Sequence, residues 1–119
     1  MTKILVVDDE QDIRETLKDI LEKEGYEVAM AGSSSEALSI FGSVKPGLIL
    51  MDVRMPKMNG VDLLKKIREI DTQVPVAMIT AYEDVELAEQ ALKLGAYDYI
   101  KKPFDLDYLR ESVLSKIIP

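Results

Sequence analysis

Five short apolar runs recur along the chain, at Ile4 to Val7, Tyr26 to Ala31, Leu48 to Met51, Val76 to Ile79 and Tyr97 to Ile100. Each is followed by a segment whose apolar residues fall at helical spacing, which predicts a βα unit repeated five times. Three of the runs, Ile-Leu-Val-Val, Leu-Ile-Leu-Met and Val-Ala-Met-Ile, are apolar without alternation. That is the pattern of parallel strands covered on both faces, whereas the runs opening at Tyr26 and Tyr97 are mixed and suit the edges. The expected fold class is α/β, with a doubly wound parallel sheet of five strands.

The intervening helices carry their own signals. Ile13, Leu17, Ile20 and Leu21 form one stripe, and Gly25 supplies a C-terminal stop. Ser33 with Glu36 fits a capping box opening a second helix that turns Ala37, Leu38 and Phe41 inward. A third follows the Asn59-Gly60 turn and uses Leu63, Leu64, Ile67 and Ile70, and the last uses Leu106, Leu109, Val113 and Ile117. The fourth, about Asp84 to Leu94, has two stripes: Val85, Ala88 and Leu92, and then Leu87, Ala91 and Leu94. Two such stripes fit either a partner patch or a wide core-facing surface.

Composition narrows the chemistry. At 119 residues and 47% hydrophobic the chain suits one domain with a single core, residues 1–119. Fifteen basic against 22 acidic residues leave a formal charge of −7, which disfavours direct nucleic acid binding. With no Cys and no His, the usual zinc sites, thiol nucleophiles, disulfides and imidazole acid–base catalysis are excluded, so chemistry falls to carboxylates, hydroxyls, Lys or a hard metal. No segment has the roughly 18 to 20 uncharged apolar residues of a membrane span, and the N-terminal run is too short for a signal peptide. A cytoplasmic protein without membrane association is expected.

In a doubly wound sheet, ligands bind outside the carboxyl ends of the strands near the point where strand order reverses. The polar residues there are Asp8 and Asp9 after the first run, Asp52 after the third, Thr80 after the fourth, and Lys101 and Lys102 before Pro103 after the fifth. Three crowded carboxylates repel one another and call for a cation, and an all-oxygen donor set suits Mg²⁺, with Mn²⁺ able to substitute. A carboxylate is also a nucleophile towards phosphorus that needs no general base, since it is deprotonated at neutral pH. Mg²⁺ and a Lys ammonium would supply the charge neutralisation that phosphoryl transfer requires, and Thr80 would bind a phosphoryl oxygen. Singly, each residue has a plainer use: Asp8 and Asp9 as caps of the first helix, Asp52 as a turn former, Thr80 as cap of the fourth helix, Lys102 as a solvated cation. Their coincidence at one sheet edge favours the chemical role.

The segments VVDDE at 6–10, LILMDVRMPKMNG at 48–60, MITAY at 78–82 and YIKKPF at 99–104 together resemble the receiver domain of two-component response regulators, over essentially the whole chain. The resemblance implies a flavodoxin-like (βα)5 fold with strand order 2-1-3-4-5. It also implies that Asp52 is the phosphoacceptor, that Asp9 binds Mg²⁺ directly with Asp8 assisting through water, and that the backbone carbonyl of Arg54 is a further ligand. Thr80 is similar to the family's switch hydroxyl, Lys102 to its phosphate-binding lysine, and Tyr99 to the aromatic that rotates inward as Thr80 moves. The bond between Lys102 and Pro103 resembles the family's cis peptide. Implied partners are a phosphohistidine donor, on a histidine kinase or histidine phosphotransfer protein, and a downstream effector or output domain reached through the fourth helix, fifth strand and fifth helix. Gly47 departs from the acidic residue the family often places before the third strand. Arg54 and Tyr82 are bulky choices beside the acyl phosphate, and are expected either to shield it from water or to be solvated side chains.

Three rivals are weighed against that resemblance. A phosphatase of the haloacid dehalogenase type would need a second acid two residues after the nucleophile, where Arg54 stands. A flavodoxin would need a hydroxyl- and Gly-rich phosphate loop where Asp8-Asp9-Glu10 stands. A phosphorylation-independent binding module remains the alternative, disfavoured by the presence of every acidic-site residue.

Overall fold

The structure is a computed structural model that describes residues 2–55, 57–80, 84–101 and 106–114. Five strands alternate with helices: β1 (Lys3–Val7), α1 (Gln11–Lys23), β2 (Glu27–Ala31), α2 (Ser34–Val44), β3 (Leu48–Asp52), α3 (Gly60–Ile70), β4 (Val76–Thr80), α4 (Val85–Lys93), β5 (Asp98–Lys101) and α5 (Leu106–Tyr108). A π-helical stretch, Leu109–Leu114, continues α5. All neighbouring strands pair in parallel, in the order β2-β1-β3-β4-β5. The unalternated apolar runs are the three central strands, and the mixed runs are the edges, as their patterns require.

Alternate side chains along each strand point to opposite faces and build two cores. Leu5, Val7, Ile49, Met51, Val76 and Met78 pack with α2, α3 and α4. Ile4, Val6, Leu48, Leu50, Ala77 and Ile79 pack with Leu17 and Leu21 of α1 and with Leu109 and Leu114. Between β1 and β3 the winding reverses, since β1 leads outward to β2 and the chain then crosses to β3 on the other side. The register pairs Val7 with Met51 and Asp52 with Ile79, so the strand ends of β1, β3 and β4 lie along one edge.

Helix details agree with the sequence in part. Gly25, at φ 94°, closes α1 in a left-handed conformation that costs glycine little. The Ser33 hydroxyl accepts the amide of Glu36 at 3.1 Å, but the Glu36 carboxylate returns to the amide of Gly32, at 2.7 Å, one residue earlier than a capping box requires. In α3, Leu63, Leu64 and Ile67 are buried as expected, whereas Ile70 is 62% exposed. Ile70 is the last residue of its helix, so it overhangs the core. In α4 neither stripe is buried as a unit: Ala88 and Ala91 meet the sheet, Leu87 and Leu92 are half-buried against the core, and Leu94 is exposed. Two alanines three residues apart let the helix backbone lie close to the strands. In the last helix Leu109 is buried as expected, and the π-helical turn buries Leu114 with it, five residues on; the Leu106 side chain lies outside the described residues. The Val113 side chain and Ile117 lie outside the described residues.

Candidate functional site

β1 delivers Asp8 to the reversal point. Its amide donates to the Ala31 carbonyl at 3.1 Å, prolonging the strand pairing by one residue, and its side chain is fully buried. Asp8 Oδ1 accepts the Glu10 amide at 2.9 Å, and Arg14 Nη1 donates to the Asp8 carbonyl at 2.7 Å. The N-cap of α1 is Glu10, without a side-chain capping bond, so capping does not explain Asp8 or Asp9. Asp8 is instead held in a turn by the Glu10 amide, with its side chain buried.

β3 delivers Asp52, which is 5% exposed and accepts the Arg54 amide on Oδ1 at 3.1 Å. The turn-forming use of Asp52 is therefore real, and it orients the carboxylate. The return into α3 is fixed from three sides. The Gly60 amide donates to the Val53 carbonyl at 2.6 Å, the Asn59 side chain caps the helix by accepting the Asp62 amide at 3.0 Å, and Ser34 Oγ donates to the Met58 carbonyl at 2.8 Å. Gly60 admits no side chain, since a Cβ there would stand 2.3 Å from the Asp52 carbonyl oxygen and 3.0 Å from Val53 Cα.

Asp8, Asp9, Glu10 and Asp52 each present a carboxylate oxygen, and the four oxygens lie within 4.8 Å of one another. At that separation each pair of anions repels by roughly 1 kcal/mol in bulk water and by about 3.5 kcal/mol at an effective dielectric of about 20. The donor set holds only hard oxygens, with Asp8 and Asp52 buried and Asp9 and Glu10 exposed. That combination fits a small divalent cation that keeps part of its water shell. Glu10 joins the cluster without having been among the expected ligands; its place directly after Asp8-Asp9, before the first helix, was the available signal.

The remaining expected residues are less fully described. Thr80 ends β4 opposite Lys101 of β5, and its side chain is not among the described ones. Lys102, Pro103 and Tyr82 lie outside the described residues. Tyr99 is half-buried in β5, in register with Met78, and packs against the core shared by α2, α3 and α4. Arg54 is not a merely solvated side chain: its Nε and Nη2 donate to Asp84 Oδ1 at 2.9 and 2.5 Å. Asp84, 3% exposed, stands at the N-cap of α4, the place that the simpler view of Thr80 had given to the threonine. Sequence had offered no sign of this contact, which spans 30 residues.

Fold and site together define an α/β domain with a cation-ready acidic pocket at the reversal of its sheet. The chain belongs to the response regulator receiver domain family, which matches residues 4–114. It is 38% identical over 117 residues to sporulation initiation phosphotransferase F of Bacillus subtilis, covering 98% of this chain and 94% of that protein. It is 44% identical over 109 residues to regulatory protein AtoC of Escherichia coli, covering 92% of this chain but 24% of the relative. Among solved structures, a response regulator receiver domain protein from Clostridium thermocellum superposes with a TM-score of 0.92 at 36% identity, covering 98% of this chain and 94% of that one. The receiver domain of NtrX from Brucella abortus gives 0.90 at 37% identity, with 97% of each chain covered. The fold class, the strand order and the receiver assignment drawn from the sequence are thus borne out. Among the described residues, no helix is long and apolar enough to cross a membrane.

Proposed function

We propose that this receiver domain takes a phosphoryl group onto the Asp52 carboxylate. The observation that carries the proposal is the acidic cluster at the strand ends, with Asp52 buried beside Asp8 and within reach of Asp9 and Glu10. Asp52 attacks phosphorus, the bond from phosphorus to the donor breaks, and the electron pair leaves with the donor group. The attacking atom is a carboxylate oxygen, a nucleophile that needs no separate base. Asp8, Asp9, Asp52 and the Arg54 backbone carbonyl are assigned to Mg²⁺, or Mn²⁺ in its place; the bound cation would offset negative charge on the acids and on the incoming phosphoryl group. Thr80 and Lys102 are assigned to the phosphoryl oxygens, Tyr99 to the conformational response, and Pro103 to aiming Lys102.

On this proposal the chain is an acceptor that assists its own phosphorylation and slow dephosphorylation, and it turns over no separate substrate. The family supports a donor on a histidine kinase or a histidine phosphotransfer protein, and a cytoplasmic setting follows from such a donor. It also supports an effector or output domain that reads α4, β5 and α5, and the longer relatives of which this chain matches about a quarter make a covalently attached output one form of that partner. Intact-mass measurement after incubation with acetyl phosphate tests the proposal, with Mg²⁺ or with EDTA, on the wild type and Asp52→Asn. A gain of one phosphoryl mass that needs both Mg²⁺ and Asp52 is the expected result. No gain under any condition would leave a phosphorylation-independent binding module.

A further inference from the structure

Arg54 meets the phosphoacceptor through its backbone and α4 through its side chain. Its amide donates to Asp52 Oδ1 at 3.1 Å, while its guanidinium places two bonds on Asp84 Oδ1. Asp84 is the N-cap of α4, and aspartate is among the best residues for accepting first-turn amides, yet its side chain makes no capping bond. Its carboxylate is committed instead to an arginine 30 positions earlier in the chain. The two ends of the pair differ in exposure, 68% for the Arg54 side chain and 3% for that of Asp84. The guanidinium can therefore leave without being dragged from a buried place, and the carboxylate belongs to the residue that precedes the first turn of the helix.

We propose that Asp84 is a positioning residue for the phosphoacceptor site, and that phosphorylation makes Arg54 exchange partners. Before phosphorylation Asp84 holds the guanidinium at the head of α4. Afterwards the phosphoryl group on Asp52, carrying close to two negative charges at neutral pH, outcompetes the single charge of Asp84 for a guanidinium rooted in the same loop. Arginine suits that exchange, because its planar fork serves carboxylate and phosphate oxygens alike. The released Asp84 carboxylate turns to the amides of Glu86 and Leu87 and caps α4. Neither anion is left without a partner, so the exchange alters the start of α4 with little net loss of hydrogen bonding. The inference rests on Asp52 being the phosphoacceptor.

A thermodynamic cycle tests it on the intact chain, with beryllofluoride and Mg²⁺ as the phosphoryl mimic and binding followed by fluorine NMR. The variants are Asp84→Asn, Arg54→Ala and the double substitution. Removing the competing charge in Asp84→Asn is expected to tighten binding by roughly three- to ten-fold, Arg54→Ala to weaken it by a similar factor, and Asp84→Asn to add nothing once Arg54 is gone. In amide NMR spectra, beryllofluoride is expected to move the Glu86 and Leu87 signals of the wild type in the direction of stronger hydrogen bonding, and to leave them in place in Asp84→Ala. An equal effect of Asp84→Asn with and without Arg54, or no effect in either, overturns the exchange. If the wild type neither binds the mimic nor gains phosphoryl mass, the phosphoacceptor assignment itself has failed; if it does both while the cycle is additive, only the exchange has.

Discussion

Asp98 at the head of β5 and Asp8 just past the end of β1 are carboxylates of one sheet in opposite surroundings. Asp98 is half-buried and meets neutral donors, the Tyr99 amide on Oδ1 at 2.8 Å and the Tyr108 hydroxyl on Oδ2. Asp8 is fully buried and has three other acids within 4.8 Å, oxygen to oxygen. The amino end of the sheet follows the pattern of Asp98 elsewhere too. There Arg68 of α3 donates to the carbonyls of Asp71, Val74 and Gly95, at 3.3, 2.7 and 3.0 Å, tying together the turns that enter β4 and β5. One end of the molecule pairs its described carboxylate and guanidinium with neutral hydrogen-bond partners; the other gathers four carboxylates, whose mutual repulsion the amides of Glu10 and Arg54 offset only in part.

The largest effect expected from testing this contrast is at Gly60, where any side chain collides with backbone beneath Asp52. Gly60→Ala should lower unfolding stability in urea by about 3 kcal/mol and should also reduce the yield of phosphorylated protein. Arg68→Ala should cost about 2 kcal/mol, because it strips charge-assisted bonds from backbone carbonyls, while the phosphorylation yield of the folded fraction stays at the wild-type level. The Asp8 substitution carries the opposite sign. Asp8→Asn removes one anion from the cluster and should raise stability by about 1 kcal/mol at low salt without divalent ions, and Mg²⁺ should then stabilise the variant less than the wild type. If Asp8→Asn destabilises the chain in the absence of Mg²⁺, the carboxyl end is not strained and the contrast collapses.

The smallest effect is one of pH. The hydrogen bond from Tyr108 to Asp98, with burial and the negative charge of Asp98 adding to it, raises the phenol from 10.0 to about 12. A group whose folded pKa is raised gives stability that is complete below its unfolded pKa and is lost as pH climbs through the folded value. Wild-type stability should therefore decline between pH 10 and pH 12, by a small amount because Tyr108 is 37% exposed. Tyr108→Phe should lack that component, and absorbance titration of the phenolates would show one fewer late-ionising group.

The contrast also marks what could be read in advance. Central and edge strands were legible because burial on both faces demands unbroken apolar runs, and Leu48 to Met51 and Val76 to Ile79 are short runs of that kind. Asp8, Asp9 and Asp52 were legible because strand ends in this topology converge on one edge. The misplacement of Ile70 came from extending a helical period to a residue with no sheet beneath it. In the last helix Leu109 was legible, and the burial of Leu114 beside it was not, because a π turn changes the spacing that periodicity assumes. Asp84 was invisible as Arg54's partner for a different reason: the pair is set by the approach of two loops, and no local pattern in either segment encodes it.

The strand order has a bearing on the order in which the molecule is made. β1, β2 and β3 are neighbours in space as well as first in sequence, and every acid of the cluster, with Arg54, lies on them or directly after them. A ribosome releases the chain from its amino end, so the cation pocket is encoded in the part that emerges first. Thr80, Asp84 and the strand that carries Tyr99 come later in the chain, and β4 pairs with β3. The receiver is thus divided by synthesis as well as by space, with the part that carries the acidic cluster preceding the part that carries Thr80, Asp84 and Tyr99.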